Sequence, residues 1–138
     1  GASLEPYLAL LNHVRKENPA LQQLRNIRFH DINNEQLIAY SKVDAITGNA
    51  VLVVVNLDPH YAQAGTLRID HAAVGLNPGE PFTVDDLITR NSYTWSSENY
   101  VRLAPQENVA HIFRLPQIAP ERRQALAFRQ ISDHDYRP

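Results

Sequence analysis

The hydrophobic pattern of the chain changes its period once, near residue 25. Before that point, apolar residues recur every three or four positions over residues 4–17, which predicts an amphipathic helix. Ser3 is a candidate N-cap, and Pro19 disfavours a helical residue before it, so the helix should end near Asn18. After residue 25, apolar and polar residues alternate in short runs, which is typical of β-strands.

These runs predict seven or eight strands joined by short turns. Ala50 to Leu57 is β-branched and apolar on both faces, as expected for a central strand. Pairs such as Asn33-Asn34 and Pro78-Gly79 supply turn chemistry between runs. Because parallel strands need crossovers of about a dozen residues or more, the pattern predicts a mainly β domain, an antiparallel sandwich or barrel. Of the two we expect a β-sandwich of Greek-key type, preceded by the N-terminal helix. The clearest runs are residues 27–29, 37–43, 50–57, 67–69, 82–88, 99–103 and 109–115.

Composition narrows the functions that such a domain can have. The 138 residues include 13 basic and 15 acidic side chains, for a net charge of -2, so we expect neither nucleic acid nor a membrane as partner. The longest apolar run falls far short of the ~20 residues that span a bilayer. Cysteine is absent, which excludes disulfides and thiolate chemistry and favours the cytoplasm. Methionine is absent even at position 1, so a fragment of a longer protein is expected.

Candidate catalytic and metal-binding residues are few. None of the six histidines has another histidine at the spacing that converges on one ion, so we expect no metal site and no cofactor. Asp85 and Asp86 should point to opposite faces of a strand, which suits a turn or an interface better than the facing pair of a glycosidase. His111 shares its face with Phe113, which favours a buried, hydrogen-bonded histidine over a catalytic base. No catalytic residue is expected in this chain.

Three aromatic residues form the best candidate for ligand binding. Tyr93 and Trp95 lie two apart, so on an extended segment both rings project from one face, and Tyr100 follows shortly after. Large aromatics usually fill the core of a small sandwich, and that structural role is favoured here. The competing interpretation is a platform on which a glucosyl ring stacks.

Several strings of residues resemble the C-terminal region of enzymes in the α-amylase superfamily. Residues 11–22, LNHVRKENPALQ, resemble the closing helix of the catalytic barrel, where an L-x-x-I/L-R-x-x-x-P-A-L string leads into the C-terminal β-domain. Residues 54–59 (VVNLDP), 93–95 (YTW), 99–103 (NYVRL) and 110–113 (AHIF) resemble one branch in particular, the α-1,4-glucan:maltose-1-phosphate maltosyltransferases.

The resemblance implies a parent enzyme that moves a maltosyl unit from α-maltose 1-phosphate to an α-glucan such as glycogen, with its catalytic residues in the barrel. This chain would then be a non-catalytic accessory domain whose partner is the barrel of the same polypeptide. Ala104 and Val109 stand where that branch has Asp and Pro, so the C-domain of a trehalose synthase or another amylase-like glycosidase stays open. The residues are also compatible with a stand-alone carbohydrate-binding module or with a protein-interaction domain that uses an open sheet edge.

The resemblance, which extends over about residues 4–115, and the pattern of the residues after Pro116 together indicate where the chain divides. Residues 1–23 would be the end of the barrel region, residues 24–116 the C-terminal β-sandwich domain, and residues 117–138 a tail, either disordered or a short helix that begins near Pro120. The helical stripe should bury against the barrel or the sandwich, and its candidate packing residues are Tyr7, Leu8, Leu11 and Val14.

Overall fold

A computed structural model describes residues 4–22, 26–107, 110–123 and 126, without the side chains of residues 4–8. Helix α1 (Leu4–Glu17) and a first 3-10 helix (Pro19–Gln22) precede the strands, and a second 3-10 helix (His71–Val74) interrupts them. The strands are β1 (Ile27–Ile32), β2 (Leu37–Val43), β3 (Ala50–Asn56), β4 (Gln63–Arg68), β5 (Phe82–Asp86), β6 (Ser92–Trp95), β7 (Glu98–Leu103) and β8 (Ala110–Arg114).

The eight strands of the described ranges form one antiparallel sheet in the order β6-β5-β8-β3-β2-β1-β4-β7. Within it, β4-β1-β2-β3 has the order of a Greek key, in which a fourth strand returns to lie beside the first. Trp95 on one edge strand belongs to the same hydrophobic cluster as Val101 and Leu103 on the other edge strand, so the sheet curls around a common core. The predicted mainly β, antiparallel fold with a preceding helix is confirmed.

Two strands differ from the hydrophobic pattern. β4 begins at Gln63, ahead of the predicted run at residues 67–69, because its first residues (QAGT) carry no large apolar side chain that a pattern could register. β6 has only four residues, SYTW, which is too short for its alternation to stand out alone. In both cases the strand forms because it pairs with a neighbouring strand, β7 for β4 and β5 for β6, and the local sequence does not predict this pairing.

Strand β3 lies at the centre of the sheet and is buried on both faces, as its sequence predicted. Leu52 and Val54 face the curled interior and are fully buried. Val51 and Val53 point the other way and are also buried, at 0% and 5% exposure. The first 3-10 helix packs against β2 and β3, and so covers this outer face.

Buried asparagines attach the helical segment to the sheet. Asn18, 1% exposed, donates from its side chain to the carbonyl of Val14 at 2.8 Å, in the last turn of α1. The side chain of Asn49 donates to the Asn18 side-chain oxygen at 3.0 Å and accepts from the N–H of Ala20 at 3.1 Å. Asn26 donates to the carbonyls of Ala20 and Val43, at 3.1 and 2.9 Å. The N–H and the carbonyl of Ala20, the buried residue of the 3-10 helix, thereby gain the partners that burial requires.

The turn between β2 and β3, residues 44–49, is built for close approach. Asp44 accepts hydrogen bonds from the Ile46 N–H and the Thr47 hydroxyl. Gly48 has φ near 80°, in the left-handed region that favours glycine, and a Cβ there would lie 2.4 Å from the carbonyl oxygen of Ile118. Any larger residue at position 48 would therefore strain the turn and collide with the segment after β8.

The segment after β8 packs onto the same turn. The N–H of Ile118 donates to the carbonyl of Gly48 at 2.9 Å, and the Arg123 guanidinium donates to the carbonyl of Ile46 at 3.2 Å. Ile118 and Leu126 belong to the hydrophobic cluster. Residues 120–123 are helical, in agreement with the short helix expected near Pro120, whereas residues 127–138 lie outside the described residues.

We expect Asn49→Ala to lower the free energy of unfolding by about 2 to 4 kcal/mol, since it leaves the Asn18 oxygen and the Ala20 N–H buried without partners at ~1–3 kcal/mol each. Urea unfolding followed by circular dichroism measures the loss. Asn12→Ala, at an exposed position of α1, is the matched control and should change stability by less than ~0.5 kcal/mol. Equal effects of the two substitutions would contradict the attachment described above.

Candidate functional site

Where the two edges of the curled sheet approach each other, aromatic residues line a cleft of about 180 Å³. We call it the aromatic cleft, and its walls are Tyr93 and Trp95 of β6, Tyr100 and Arg102 of β7, and His111 and Phe113 of β8. All three aromatic residues that the sequence singles out therefore border one space. His111, Phe113 and Arg102 were not among those candidates, because they reach the cleft only through the strand order.

The rings of the aromatic cleft divide into a buried floor and an exposed rim. Phe113 is central, with the ring centroids of Trp95 at 4.6 Å, His111 at 5.4 Å and Tyr93 at 6.5 Å. Trp95 is only 8% exposed, which confirms the burial expected of the single tryptophan. Tyr93 and Tyr100 remain 44% and 69% exposed and form the rim.

A buried ion pair fixes the polar wall of the cleft. His111 Nδ1 lies 3.0 Å from Asp86 Oδ2, and His111 Nε2 lies 3.2 Å from the carbonyl oxygen of Arg102. Since a carboxylate and a carbonyl only accept, the protonated imidazolium satisfies both contacts. The hydrogen bond that His111 donates to Asp86 raises the pKa of His111, against the burial that lowers it. As the sequence favoured, His111 is a hydrogen-bonded, partly buried histidine.

Asp86 and its neighbour have separate structural partners. Burial would raise the pKa of Asp86, but hydrogen bonds from His111 and from the N–H groups of Thr89 and Ile88 outweigh it and lower that pKa. The Ser92 hydroxyl donates to Asp85 at 2.6 Å and, with Arg114, lowers the pKa of Asp85. Each carboxylate is therefore an acceptor in a turn or between strands, the role that their adjacency predicted.

Another histidine, His30, is buried in the neutral form. Its Nδ1 accepts the N–H of Asp70 at 3.1 Å, and its Nε2 lies 2.7 Å from the Ser41 hydroxyl. Burial lowers the pKa of His30, an effect that the Asp70 charge opposes and the Arg28 charge reinforces.

Among the described residues no group of three or more His, Asp or Glu side chains could hold a metal ion. Within the same ranges, each helix is too short or too polar to span a bilayer.

An apolar patch lies on the outer face of the sheet, beside α1. It comprises Ile27 and Phe29 of β1, which are 47% and 69% exposed, and Tyr40 of β2, whose ring meets Phe29 edge-on at 6.2 Å. We call it the β1 patch. Ile27 pairs with Lys42, whose pKa is lowered by burial and by the charge of Arg15, so the C-terminal end of α1 lies near this end of β1 and β2.

The predicted packing residues of α1 are placed in part. Val14 is buried, at 3% exposure, and Leu11 is half-buried. The side chains of Tyr7 and Leu8 lie outside the described residues. One side of the helix is thus buried within this chain at its C-terminal end, where α1 contacts the first 3-10 helix.

The two hydrogen-bonded histidines, His111 and His30, should give the stability of the chain opposite pH dependences. The raised pKa of His111 makes its contribution fully present below about pH 6.5, and that contribution is lost as the pH rises through the folded-state value. The lowered pKa of His30 makes its contribution present above about pH 6.5 and lost as the pH falls. Urea unfolding at about pH 5.5 and 8.5 should therefore show His111→Gln costing more at the lower pH and His30→Gln more at the higher pH. The same sign for both variants would refute these protonation states.

Comparison with known proteins places the chain in a family. A family model described as "GLGE, C-terminal" matches residues 29–115. The alpha-1,4-glucan:maltose-1-phosphate maltosyltransferase of Corynebacterium glutamicum is 58% identical over 134 residues, which are 97% of this chain and 20% of that protein. Proteins of the same name from Mycolicibacterium smegmatis and Mycobacterium tuberculosis strain H37Rv are 47% and 44% identical over 130 residues, which are 94% of this chain and 19% and 18% of those proteins.

The chain therefore spans about a fifth of the length of these relatives. The match to the family model includes β2–β7 whole, most of β1, and the described strand β8 that lines the aromatic cleft. Since the model covers more than half of the sequence, the chain belongs to the GLGE C-terminal domain family.

Proposed function

We propose that this chain is the non-catalytic C-terminal accessory β-domain of a maltosyltransferase and that it braces the catalytic barrel of the same polypeptide. In this proposal the parent, an enzyme of the α-amylase superfamily in the cytoplasm, transfers a maltosyl unit from α-maltose 1-phosphate to the non-reducing end of an α-1,4-glucan such as glycogen. The relatives that carry this activity in their names are about five times longer than the chain, which supports a catalytic region outside it. The structural roles of Asp85, Asp86 and His111 support the absence of chemistry within it.

The observation that carries the bracing role is the β1 patch. Phe29 exposes more than two thirds of its surface on an interior strand of the sheet, where a large aromatic gains most from burial. Contiguous apolar surface of this kind marks a contact with another protein surface. Because the C-terminal end of α1 lies near the Ile27 end of the patch, a catalytic region joined through α1 would lie close to Ile27 and Phe29. Tyr7, Leu8 and Leu11 would pack in the same contact.

The domain boundaries and the layer architecture belong to the same proposal. Residues 1–23 end the barrel region, residues 24–116 form a Greek-key sandwich, and residues 117–138 form a tail. A single hydrophobic cluster between the curled halves of the sheet supports a sandwich over an open sheet. The packing of Ile118 and Leu126 into that cluster supports a tail that is docked on the sandwich in its first part.

Phe29→Asp in the full-length enzyme tests the bracing role. We expect it to lower the melting temperature of the full-length protein, because it puts an unpaired carboxylate into the contact, and to reduce phosphate release from α-maltose 1-phosphate with glycogen. In the 138-residue chain, where Phe29 is exposed, the same substitution should change the unfolding free energy by less than ~1 kcal/mol.

Tyr61→Asp is the matched control, because Tyr61 is a 71% exposed aromatic on a loop away from the patch. It should leave both proteins unchanged. If Phe29→Asp were as silent as Tyr61→Asp in the full-length enzyme, the β1 patch would not be the bracing contact. Phosphate release by the 138-residue chain alone would show that the domain is itself catalytic.

A further inference from the structure

We propose that the aromatic cleft is a glucan-binding subsite, which holds one glucosyl residue of an α-1,4-glucan. The choice of glucan as ligand rests on the proposed function. The presence of a binding site is supported by the exposure of the rim, by the size and polarity of the cleft and by the rigidity of its walls.

The rim of the aromatic cleft is exposed to solvent. Tyr93 and Tyr100 keep 44% and 69% of their surface in solvent, although they stand above a floor of Trp95 and Phe113 that is almost completely buried. A tyrosine offers an apolar ring face and a hydroxyl at its tip. A pyranose ring offers the complementary surfaces, an apolar C–H face and an equatorial edge of hydroxyls. The rim therefore matches a sugar better than a purely apolar or a charged ligand.

The size and polarity of the aromatic cleft suit a single sugar ring. At about 180 Å³ the cleft is smaller than the ~300–1,000 Å³ of pockets that enclose drug-sized ligands, so it suits one ring of a chain that passes across it. Arg102 lies two residues from Tyr100 on the exposed side of β7, which puts a fork of N–H donors beside the rim. Both nitrogens of His111 are engaged with protein acceptors, so the hydroxyl-binding groups are Arg102 and the two tyrosine hydroxyls.

The walls of the aromatic cleft are held rigidly by contacts between strands. β6 and β7 are the two ends of the strand order, and among the described strands no ladder joins them. His111 bridges the gap: from β8 it binds Asp86 at the end of β5 and the carbonyl of Arg102 on β7. Phe113 in turn holds the rings of Trp95 and Tyr93 on β6. The two rim tyrosines are thus fixed relative to each other before ligand arrives, and this preorganisation lowers the entropic cost of binding.

The 138-residue chain itself is the sample for the test. Trp95 is the only tryptophan and lies in the floor of the cleft, so its fluorescence reports on the site without a label. Titration with maltoheptaose should give a saturable change in Trp emission. Tyr93→Ala and Tyr100→Ala should each weaken binding about tenfold, as expected when a contact residue is truncated, without unfolding the chain. Trp95→Ala is unsuitable here, since emptying the core at that position costs ~3–5 kcal/mol.

The controls distinguish specific binding in the aromatic cleft from non-specific binding of sugars to exposed aromatic residues. Tyr61→Ala removes an equally exposed aromatic elsewhere and should bind maltoheptaose like the wild type. Cellohexaose, with β-1,4 linkages, should give no saturable signal. A flat titration with maltoheptaose, unchanged affinity in both rim variants, or an equal response to cellohexaose would each overturn the proposal. None of these outcomes touches the Phe29→Asp test in the full-length enzyme, so failure of the subsite and failure of the bracing role are distinguishable.

Discussion

The burial of β3 on both faces is the constraint on which the rest of the structure depends. A strand with the sequence AVLVVVN needs apolar cover on each side, and the curled sheet provides it on only one. The first 3-10 helix covers the other side, but it brings backbone polar groups into a buried position. Asn49 accepts from the N–H of Ala20 and Asn26 donates to its carbonyl, while Asn18 joins Asn49 to the last turn of α1. The apolar demand of one strand therefore explains both the position of the first 3-10 helix and the cluster of buried amides beside it.

Much of the fold could be predicted from the sequence because it depends on local periodicity. The helix, the central strand and the Asn33-Asn34 turn each carry their signal within about ten residues, and each is present. Alternation also told which side chains share a face, as for Ile27 and Phe29, but not which face turns inward. That choice is made by the neighbouring strands and by α1, which lie elsewhere in the sequence. The buried asparagines carried no signal, because in a sequence an asparagine indicates a turn.

The aromatic cleft shows the same division between local and distant information. Tyr93 and Trp95 could be placed on one face from their spacing, and the sole tryptophan was expected in the core. Arg102, His111 and Phe113 could not be assigned to the same space, because β8 reaches it through pairing with β3 and β5. The sequence predicted the burial of Trp95 and the hydrogen bonding of His111 one residue at a time. Only the strand order shows that the His111–Asp86 ion pair stands behind the exposed rings.

The β2–β3 turn has a consequence for how such a domain can be combined with others. Asn49 in this turn holds the segment that precedes β1, while Gly48 and Ile46 hold the segment that follows β8. Entry to and exit from the β-domain are therefore fastened at a single corner of the molecule. A domain with adjacent points of entry and exit can be inserted, exchanged or circularly permuted without threading its chain through a neighbour. Gene fusion and recombination can therefore transfer the domain as a single unit, provided that glycine is kept at position 48, where the turn contacts the segment after β8.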